Sequence, residues 1–143
     1  MMPSTTTEAL LDVNVLIAAL FSNHEHHAIA RCFVANLDRF YTCPTTQGGF
    51  LRFATRQASA LPGLSTHKAL EALKEFCRIP AHEFFADGLS YTELQAARVA
   101  GHKQWTDAYL LELGRSRGTH LASLDKRMKS LRDEPGRGLV ILE

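Results

Sequence analysis

Three aspartates stand where carboxylates can do chemistry. Asp12 and Asp125 each follow a short apolar run, and Asp107 lies at the start of a strongly helical segment. Asp12 is the most informative, because leaving an ionised carboxylate among apolar side chains without partners costs on the order of several kcal/mol. It must therefore cap a helix, pair with a base or bind a metal ion. These alternatives point to different functions.

Binding of a divalent cation would give the three aspartates a common role as its ligands. Mg²⁺ and Mn²⁺ prefer oxygen ligands, and Mg²⁺ commonly binds a few carboxylates while keeping waters that a phosphate can displace. Each aspartate also has a simpler interpretation, since aspartate is a favoured N-cap and is stabilised in the first turn of a helix. The residues by themselves leave both interpretations open.

Alternating strands and helices must position these residues. An apolar run at 9–12 predicts a buried strand followed by a helix to about Phe21, and further strands are predicted at 40–43, 84–85, 120–124 and 138–142. The segment 105–117 is the clearest helix, with Gly118 as its C-terminal cap. The other predicted helices contain Ile29, Cys32, Phe33 and Leu37; Phe50, Leu51, Phe53 and Ala54 after a cap at Thr45 or Thr46; Leu70, Leu73, Phe76 and Cys77; a stretch from Ser90; and a short basic segment after Asp125.

This alternation predicts an α/β fold in which a mainly parallel sheet lies between two layers of helices, a three-layer α/β/α sandwich. Ligands of such folds bind outside the carboxyl ends of the strands, where the three aspartates can converge. We expect 1–143 to form a single domain, since 143 residues with 45% hydrophobic residues suit one core. The pair Gly48-Gly49 within a predicted helix indicates close backbone packing.

Composition argues against several classes of protein. The net charge of +1 argues against a diffuse polyanion-binding surface, although basic residues outnumber acidic ones between Arg98 and Arg137 and could meet phosphates. No basic leader and no apolar stretch near the ~20 residues of a membrane span occurs, which predicts a soluble, cytoplasmic protein. Three cysteines without a C-x-x-C pair predict buried, reduced thiols. The cluster His24-Glu25-His26-His27 lacks the i, i+4 spacing of a helical metal site and predicts a loop and helix start.

Four segments, taken together and in order, resemble the signature segments of the PIN-domain family, and most of all its VapC-type ribonuclease toxins. The resemblance covers essentially the whole chain, and it implies a metal-dependent endoribonuclease that is the toxin of a type II toxin–antitoxin pair. The segments are Leu10-Leu11-Asp12-Val13-Asn14-Val15-Leu16-Ile17, Cys43-Pro44-Thr45-Thr46-Gln47-Gly48-Gly49-Phe50-Leu51-Arg52, Trp105-Thr106-Asp107-Ala108-Tyr109-Leu110 and Leu121-Ala122-Ser123-Leu124-Asp125.

The resemblance implies that Asp12, Asp107 and Asp125 bind Mg²⁺ or Mn²⁺, and that the ions activate a bound water and neutralise charge on the attacked phosphate. One position departs from the family, which usually has a glutamate where this chain has Gln47. An amide offers a carbonyl oxygen but no charge. The chain is therefore either an enzyme that works with three aspartates, or a weakened or inactive form that acts by binding RNA or a partner.

Further residues and partners are implied at the same site. Asn14 and Ser123 lie two residues from an aspartate, where they could orient a carboxylate, bond an RNA phosphate, or form a turn or cap. The Arg52 side chain could face RNA, or its aliphatic part could simply pack against the protein. The resemblance also implies a homodimer and a cognate antitoxin protein that covers the groove. A phosphatase of the haloacid-dehalogenase type is disfavoured, because Asn14 cannot act as the second, acidic aspartate of that class.

Overall fold

A computed structural model describes residues 6–57, 63–95, 98–131 and 138–143. The strands are β1 (Glu8–Leu11), β2 (Arg39–Thr42), β3 (His82–Phe84), β4 (His120–Ser123) and β5 (Leu139–Ile141). The α-helices are α1 (Val13–Leu20), α2 (His27–Ala35), α3 (Pro44–Gln57), α4 (Thr66–Cys77) and α5 (Trp105–Ser116). Short 3-10 helices lie at Tyr91–Glu93, His102–Gln104 and Lys126–Leu131.

The strands form one sheet in the order β3-β2-β1-β4-β5. β1 lies in the centre and pairs with both β2 and β4, so that Leu10 stands opposite Tyr41 on one side and Leu121 on the other. Each of the described strand pairs is parallel. The carboxyl ends of the strands therefore share one edge, and the side chains that follow them can meet there.

Helices cover both faces of the sheet, which confirms the predicted three-layer architecture. In β1, Ala9 and Leu11 pack on the side of α1, α2, α3 and α4, whereas Leu10 packs on the side of α5 and Lys126–Leu131. All three side chains are fully buried, as expected for a central strand of a parallel sheet. In the part of the chain that the structure describes, none of the helices is long and apolar enough to cross a membrane.

The start of α3 differs from its prediction, because the helix begins at Pro44 and not after a cap at Thr45 or Thr46. Proline suits the first helical position, where a missing N–H costs no hydrogen bond. Thr46 instead closes the turn: its Oγ1 accepts from the Cys43 N–H at 3.0 Å and donates to the Cys43 carbonyl at 3.1 Å. The helix therefore starts almost directly at the carboxyl end of β2.

The close packing predicted for the glycine pair is found at Gly49. A Cβ atom at this position would lie 2.6 Å from Val13 Cγ2, whereas a Cβ at Gly48 would meet Arg52 Nη1 at 3.3 Å. Val13 is the first residue of α1 and follows Asp12 directly. Gly49 thus allows α3 to approach α1 beside the first aspartate.

Other predictions were correct in outline and wrong in detail. Within the described residues up to 95, the helix predicted from Ser90 is a 3-10 turn, Tyr91–Glu93, that starts with a capping box. Leu70, predicted on the apolar face of α4, is 39% exposed. Cys32 is exposed, so the prediction of buried thiols fails there. Gly118 follows α5 with φ of 75°, as its role in the C-terminal cap requires.

Candidate active site

Asp12 is the first residue after β1 and the N-cap of α1, and it is almost completely buried. Its Oδ1 accepts from the Val13 N–H at 2.8 Å, and its Oδ2 accepts from the Ser123 hydroxyl at 2.8 Å. Two donors therefore hold this carboxylate. Burial nevertheless raises the pKa of Asp12 above its usual value, and the charge of Asp125 adds to that rise.

Ser123, the fully buried last residue of β4, connects the polar groups around Asp12. Its Oγ donates to Asp12 and accepts from Asn14 Nδ2 and from the Asp125 N–H, both at 3.1 Å. A hydroxyl has one hydrogen and two lone pairs, so these bonds use all of its capacity. Asn14 Oδ1 also accepts from the Leu124 N–H at 3.0 Å. Among the roles predicted for Asn14 and Ser123, these bonds favour the orientation of carboxylates.

Asp107 lies in the first turn of α5 and interacts electrostatically with both other aspartates. Burial, followed by the negative charges of Asp12 and Asp125, raises its pKa to about 6, while the nearby charge of Arg127 acts in the opposite direction. Carboxylates shift each other's pKa in this way when they are close neighbours. The three aspartates therefore converge at one edge of the sheet, as the topology predicted.

Asp125 is bound by Arg127. Its Oδ1 accepts from the backbone N–H and from Nε of Arg127, both at 3.0 Å, and its Oδ2 accepts from Nη2 at 3.2 Å. These bonds lower the pKa of Asp125 below its usual value. The backbone bond also makes Asp125 a cap for the 3-10 helix Lys126–Leu131, which is the simpler role that its sequence position allowed.

The donors suit a hard divalent cation, because Mg²⁺ and Mn²⁺ prefer carboxylate oxygens and because the three carboxylates repel one another. Among the described residues, however, no group of three or more His, Cys, Asp or Glu side chains is arranged so that it could hold a metal ion. Asp125 is one visible obstacle, since both of its carboxylate oxygens bind Arg127. Arg127 fills three of the about four lone-pair sites of Asp125, so release of the arginine favours coordination of an ion by all three acids.

Gln47, predicted to share the acidic site, belongs to a different polar cluster. Its Nε2 donates to Thr42 Oγ1 at 3.0 Å and lies 3.9 Å from Cys77 Sγ. Thr42 Oγ1 in turn bonds His82 Nε2 at 2.7 Å. The hydrogen bonds that the structure gives to Gln47 lead to β2 and α4, and not to the aspartates. The sequence offered no signal for this cluster, because its members are far apart in the chain.

Arg52 folds back along α3 toward the first turn of that helix. Its Nη1 is the atom that a Cβ at Gly48 would meet. The side chain is exposed and lines a shallow depression with Leu51, Thr55 and Arg56. The Arg52 charge therefore points toward the end of α3 that lies at the carboxyl edge of the sheet.

The histidines before α2 form a loop and helix start, as predicted. His24 Nδ1 accepts from the His26 N–H at 3.0 Å. His27 is the first residue of α2, and its Nδ1 lies 2.8 Å from the Ala18 carbonyl oxygen. These contacts give the cluster a structural role.

Comparisons with known proteins agree on one family. The family model of the PIN domain matches residues 9–134. Ribonuclease VapC29 of Mycobacterium tuberculosis is 42% identical over 123 residues, which cover 85% of this chain and 89% of that protein. Ribonuclease VapC38 of the same organism is 37% identical over 119 residues, which cover 82% of this chain and 84% of that protein.

Two solved structures share the fold. VapC20 of M. tuberculosis, described as a Sarcin-Ricin loop cleaving toxin, has a TM-score of 0.60 and 15% identity, and the match covers 78% of this chain and 85% of that one. VapBC2 of Rickettsia felis, bound to a DNA fragment from its promoter, has a TM-score of 0.61 and 13% identity, with 95% and 99% covered. The structures support the fold, while the family model and the sequence relatives define the family. The chain belongs to the PIN-domain family, among its VapC-type members.

Proposed function

We propose that the chain is a metal-dependent endoribonuclease that hydrolyses RNA phosphodiester bonds as the toxin of a type II toxin–antitoxin pair. The observation that carries the proposal is the convergence of Asp12, Asp107 and Asp125 at the carboxyl edge of the sheet. The ribonuclease names of its relatives support RNA as the substrate. The VapBC2 structure supports a cognate antitoxin as protein partner, and we propose a homodimer as the assembly.

The chain's own residues prepare this site for a cation and a phosphate. A bound Mg²⁺ or Mn²⁺ supplies activation of water and neutralisation of phosphate charge, so no protein nucleophile is needed. Asp12 is held in one orientation by Val13 and Ser123. Asp107, with a pKa of about 6, is mostly ionised at neutral pH and available as a ligand. Arg52 lies toward the same edge, where it can contact the RNA backbone.

Cleavage of a mixed RNA pool with Mn²⁺, Mg²⁺ or EDTA tests the proposal. We expect metal-dependent cleavage by the parent chain and a loss on the order of 10²-fold or more in Asp12→Asn, because a metal ligand is removed. Asp38→Asn is the matched control, since Asp38 lies just before β2, at the opposite edge of the sheet. Cleavage that survives EDTA, or that is equal in Asp12→Asn and the parent, contradicts the proposal.

A second function, binding of RNA or a partner without cleavage, is favoured by one observation. Gln47 carries no charge, and its amide is engaged by Thr42. If neither the parent nor Gln47→Glu cleaves RNA while both bind it, this second function holds. If Gln47→Glu cleaves RNA and the parent does not, the amide at position 47 is the cause of the lost activity, and the rest of the site is able to catalyse cleavage.

A further inference from the structure

Arg127 is a cation that the structure places directly on the acidic cluster. Its guanidinium bonds both carboxylate oxygens of Asp125, at 3.0 Å and 3.2 Å, and its charge also acts on Asp107. The backbone N–H of Arg127 adds a third bond to Asp125. The Arg127 side chain is 87% exposed, so little protein surface packs against it. The guanidinium is held mainly by the carboxylate and can leave it without disturbing the core.

The neighbouring lysines are engaged elsewhere. Lys126 Nζ and Lys129 Nζ each lie 4.0 Å from Glu143 Oε1, beyond the end of β5. They carry the same charge as Arg127 and lie within two residues of it, yet the ion pairs that the structure gives them lead away from the aspartates. Geometry, and not the general basic character of this segment, therefore distinguishes Arg127.

A guanidinium and a divalent cation compete for the oxygens of Asp125. Together with the backbone bond, the bidentate arginine takes three of the about four lone-pair sites of Asp125, and two cations beside one carboxylate repel each other. Binding of an ion by Asp125 therefore favours release of Arg127. The released side chain stays tethered at the rim of the site, and its planar fork binds phosphate oxygens in the same bidentate way as it binds a carboxylate.

We propose that Arg127 exchanges partners: it holds Asp125 in the metal-free chain, and it is displaced and binds the RNA phosphate backbone in the metal-loaded enzyme. This inference rests on the proposed function, because it takes the acidic cluster as the metal site and RNA as the substrate. It gives Arg127 two opposite effects, since the same side chain opposes metal binding and favours RNA binding. An ordinary surface ion pair has neither effect.

Mn²⁺ binding in the absence of RNA tests the first half of the exchange. Isothermal titration calorimetry at low ionic strength compares the parent with Arg127→Gln and with Lys126→Gln, which loses the same charge from the neighbouring position. We expect Arg127→Gln to bind Mn²⁺ about threefold more tightly or better, a scale typical of competition with an exposed ion pair. Lys126→Gln is expected to bind like the parent. Equal affinities of Arg127→Gln and the parent would overturn the inference.

RNA cleavage at saturating Mn²⁺ tests the second half. We expect Arg127→Gln to raise KM for RNA about threefold or more while kcat changes less, because a phosphate contact is lost and the metal ligands remain. Arg127→Lys should lie between the parent and Arg127→Gln, since lysine keeps the charge and loses the fork. Tighter Mn²⁺ binding with an unchanged KM would overturn the exchange, because the arginine would then act on the metal alone.

The two proposals fail in distinguishable ways. If the parent does not bind Mn²⁺, or if Asp12→Asn binds it equally well, the acidic cluster is not a metal site and both proposals are overturned. If metal binding and cleavage depend on Asp12 but Arg127→Gln matches the parent, only the exchange is overturned. Thermal unfolding of every variant accompanies the titrations, and the exposed position of Arg127 predicts unchanged melting for both of its substitutions.

Discussion

Asp12 takes one of the roles that its place in the sequence allows, the helix cap, and keeps acceptor capacity for another. Its Oδ1 caps α1 through the Val13 N–H, and its Oδ2 bonds Ser123. A carboxylate has about four lone-pair sites, so these two bonds leave acceptor capacity on the same side chain. Capping and metal binding are therefore compatible roles of one residue. The sequence presented them as alternatives because it does not show how many donors reach each oxygen.

Replacing Ser123 with alanine removes the donor to Asp12 and an acceptor for Asn14. Because buried polar groups without partners cost about 1–3 kcal/mol, we expect Ser123→Ala to lower the free energy of unfolding by about that amount in urea denaturation. Ser130→Ala is the matched control, since its hydroxyl bonds a backbone carbonyl at the exposed surface. The control should change stability by less than about 0.5 kcal/mol. Equal effects of the two substitutions would contradict the central role of Ser123.

Among the elements, α1 and α3 meet at the site because each starts where a strand ends. α1 follows β1 through Asp12, and α3 follows β2 through Cys43. Gly49 lies against Val13 at their contact, close to the first aspartate. The position of Asp12 therefore depends on how closely these two helices approach.

Alanine substitutions at the two adjacent glycines should have opposite effects on stability. A Cβ at Gly49 would lie 2.6 Å from Val13, and such overpacking costs about 1–3 kcal/mol. A Cβ at Gly48 meets the end of the exposed and flexible Arg52 side chain, and alanine is favoured over glycine within a helix by up to about 1 kcal/mol. We expect Gly49→Ala to lower the melting temperature and Gly48→Ala to raise it.

Thermal unfolding of the two variants, measured side by side, checks these signs. The double variant Val13→Ala with Gly49→Ala provides the control, because the smaller side chain at Val13 removes the clash. It should recover part of the loss caused by Gly49→Ala. If Gly49→Ala alone stabilised the protein, the prediction would be contradicted, because α1 and α3 could then move apart without a loss of folding free energy.

The order and type of most elements could be predicted from the sequence, because buried strands and one-sided helices leave clear apolar patterns. The prediction at Ser90 gave the start of a helix correctly but not its type and length, for a physical reason. Ser90 and Glu93 form a capping box, and the same pair starts long and short helices alike. At α3, the predicted threonine cap was wrong because Pro44 can occupy the first helical position itself.

For the whole molecule, side-chain partners were harder to predict than positions. Parallel topology alone indicated that Asp12, Asp107 and Asp125 would converge. Asp12 and Gln47 find their partners on distant strands. Ser123 is 111 residues from Asp12 in the chain, and Thr42 connects Gln47 to His82. Such pairings follow from strand register, and one sequence contains no direct record of that register.

The pH dependence of global stability should show the influence of His82. Burial lowers the pKa of His82 below its ordinary value of 6.5, so the unfolded chain takes up a proton at a higher pH than the folded chain. The contribution of His82 to stability is therefore present above pH 6.5 and is lost as the pH falls through the folded value. The contribution of Asp107 to stability depends on pH in the opposite direction. Its pKa is raised to about 6, so this contribution decreases as the pH rises through that value.

These two groups can be separated by comparing the parent with His82→Gln. We expect the difference in free energy of unfolding between parent and variant to shrink as the pH is lowered from about 7.5 to about 5.5. Only the parent has a buried imidazole, whose protonation lowers the stability of the folded chain. An NMR titration of His82 in the folded and the urea-unfolded chain provides the reference. A folded-state pKa at or above the unfolded value would contradict the prediction.

The long sequence separation within the acidic cluster has a consequence for how the protein is made. Chains emerge from the ribosome with the N-terminus first, at about 5–20 residues per second. A nascent chain that has grown only through α4 contains Asp12 but neither Asp107 nor Asp125. Because β4 must pair with β1 before Ser123 can reach Asp12, the site assembles only after most of the chain has been translated. A nuclease built in this order lacks two of its three site aspartates while most of the chain is being translated.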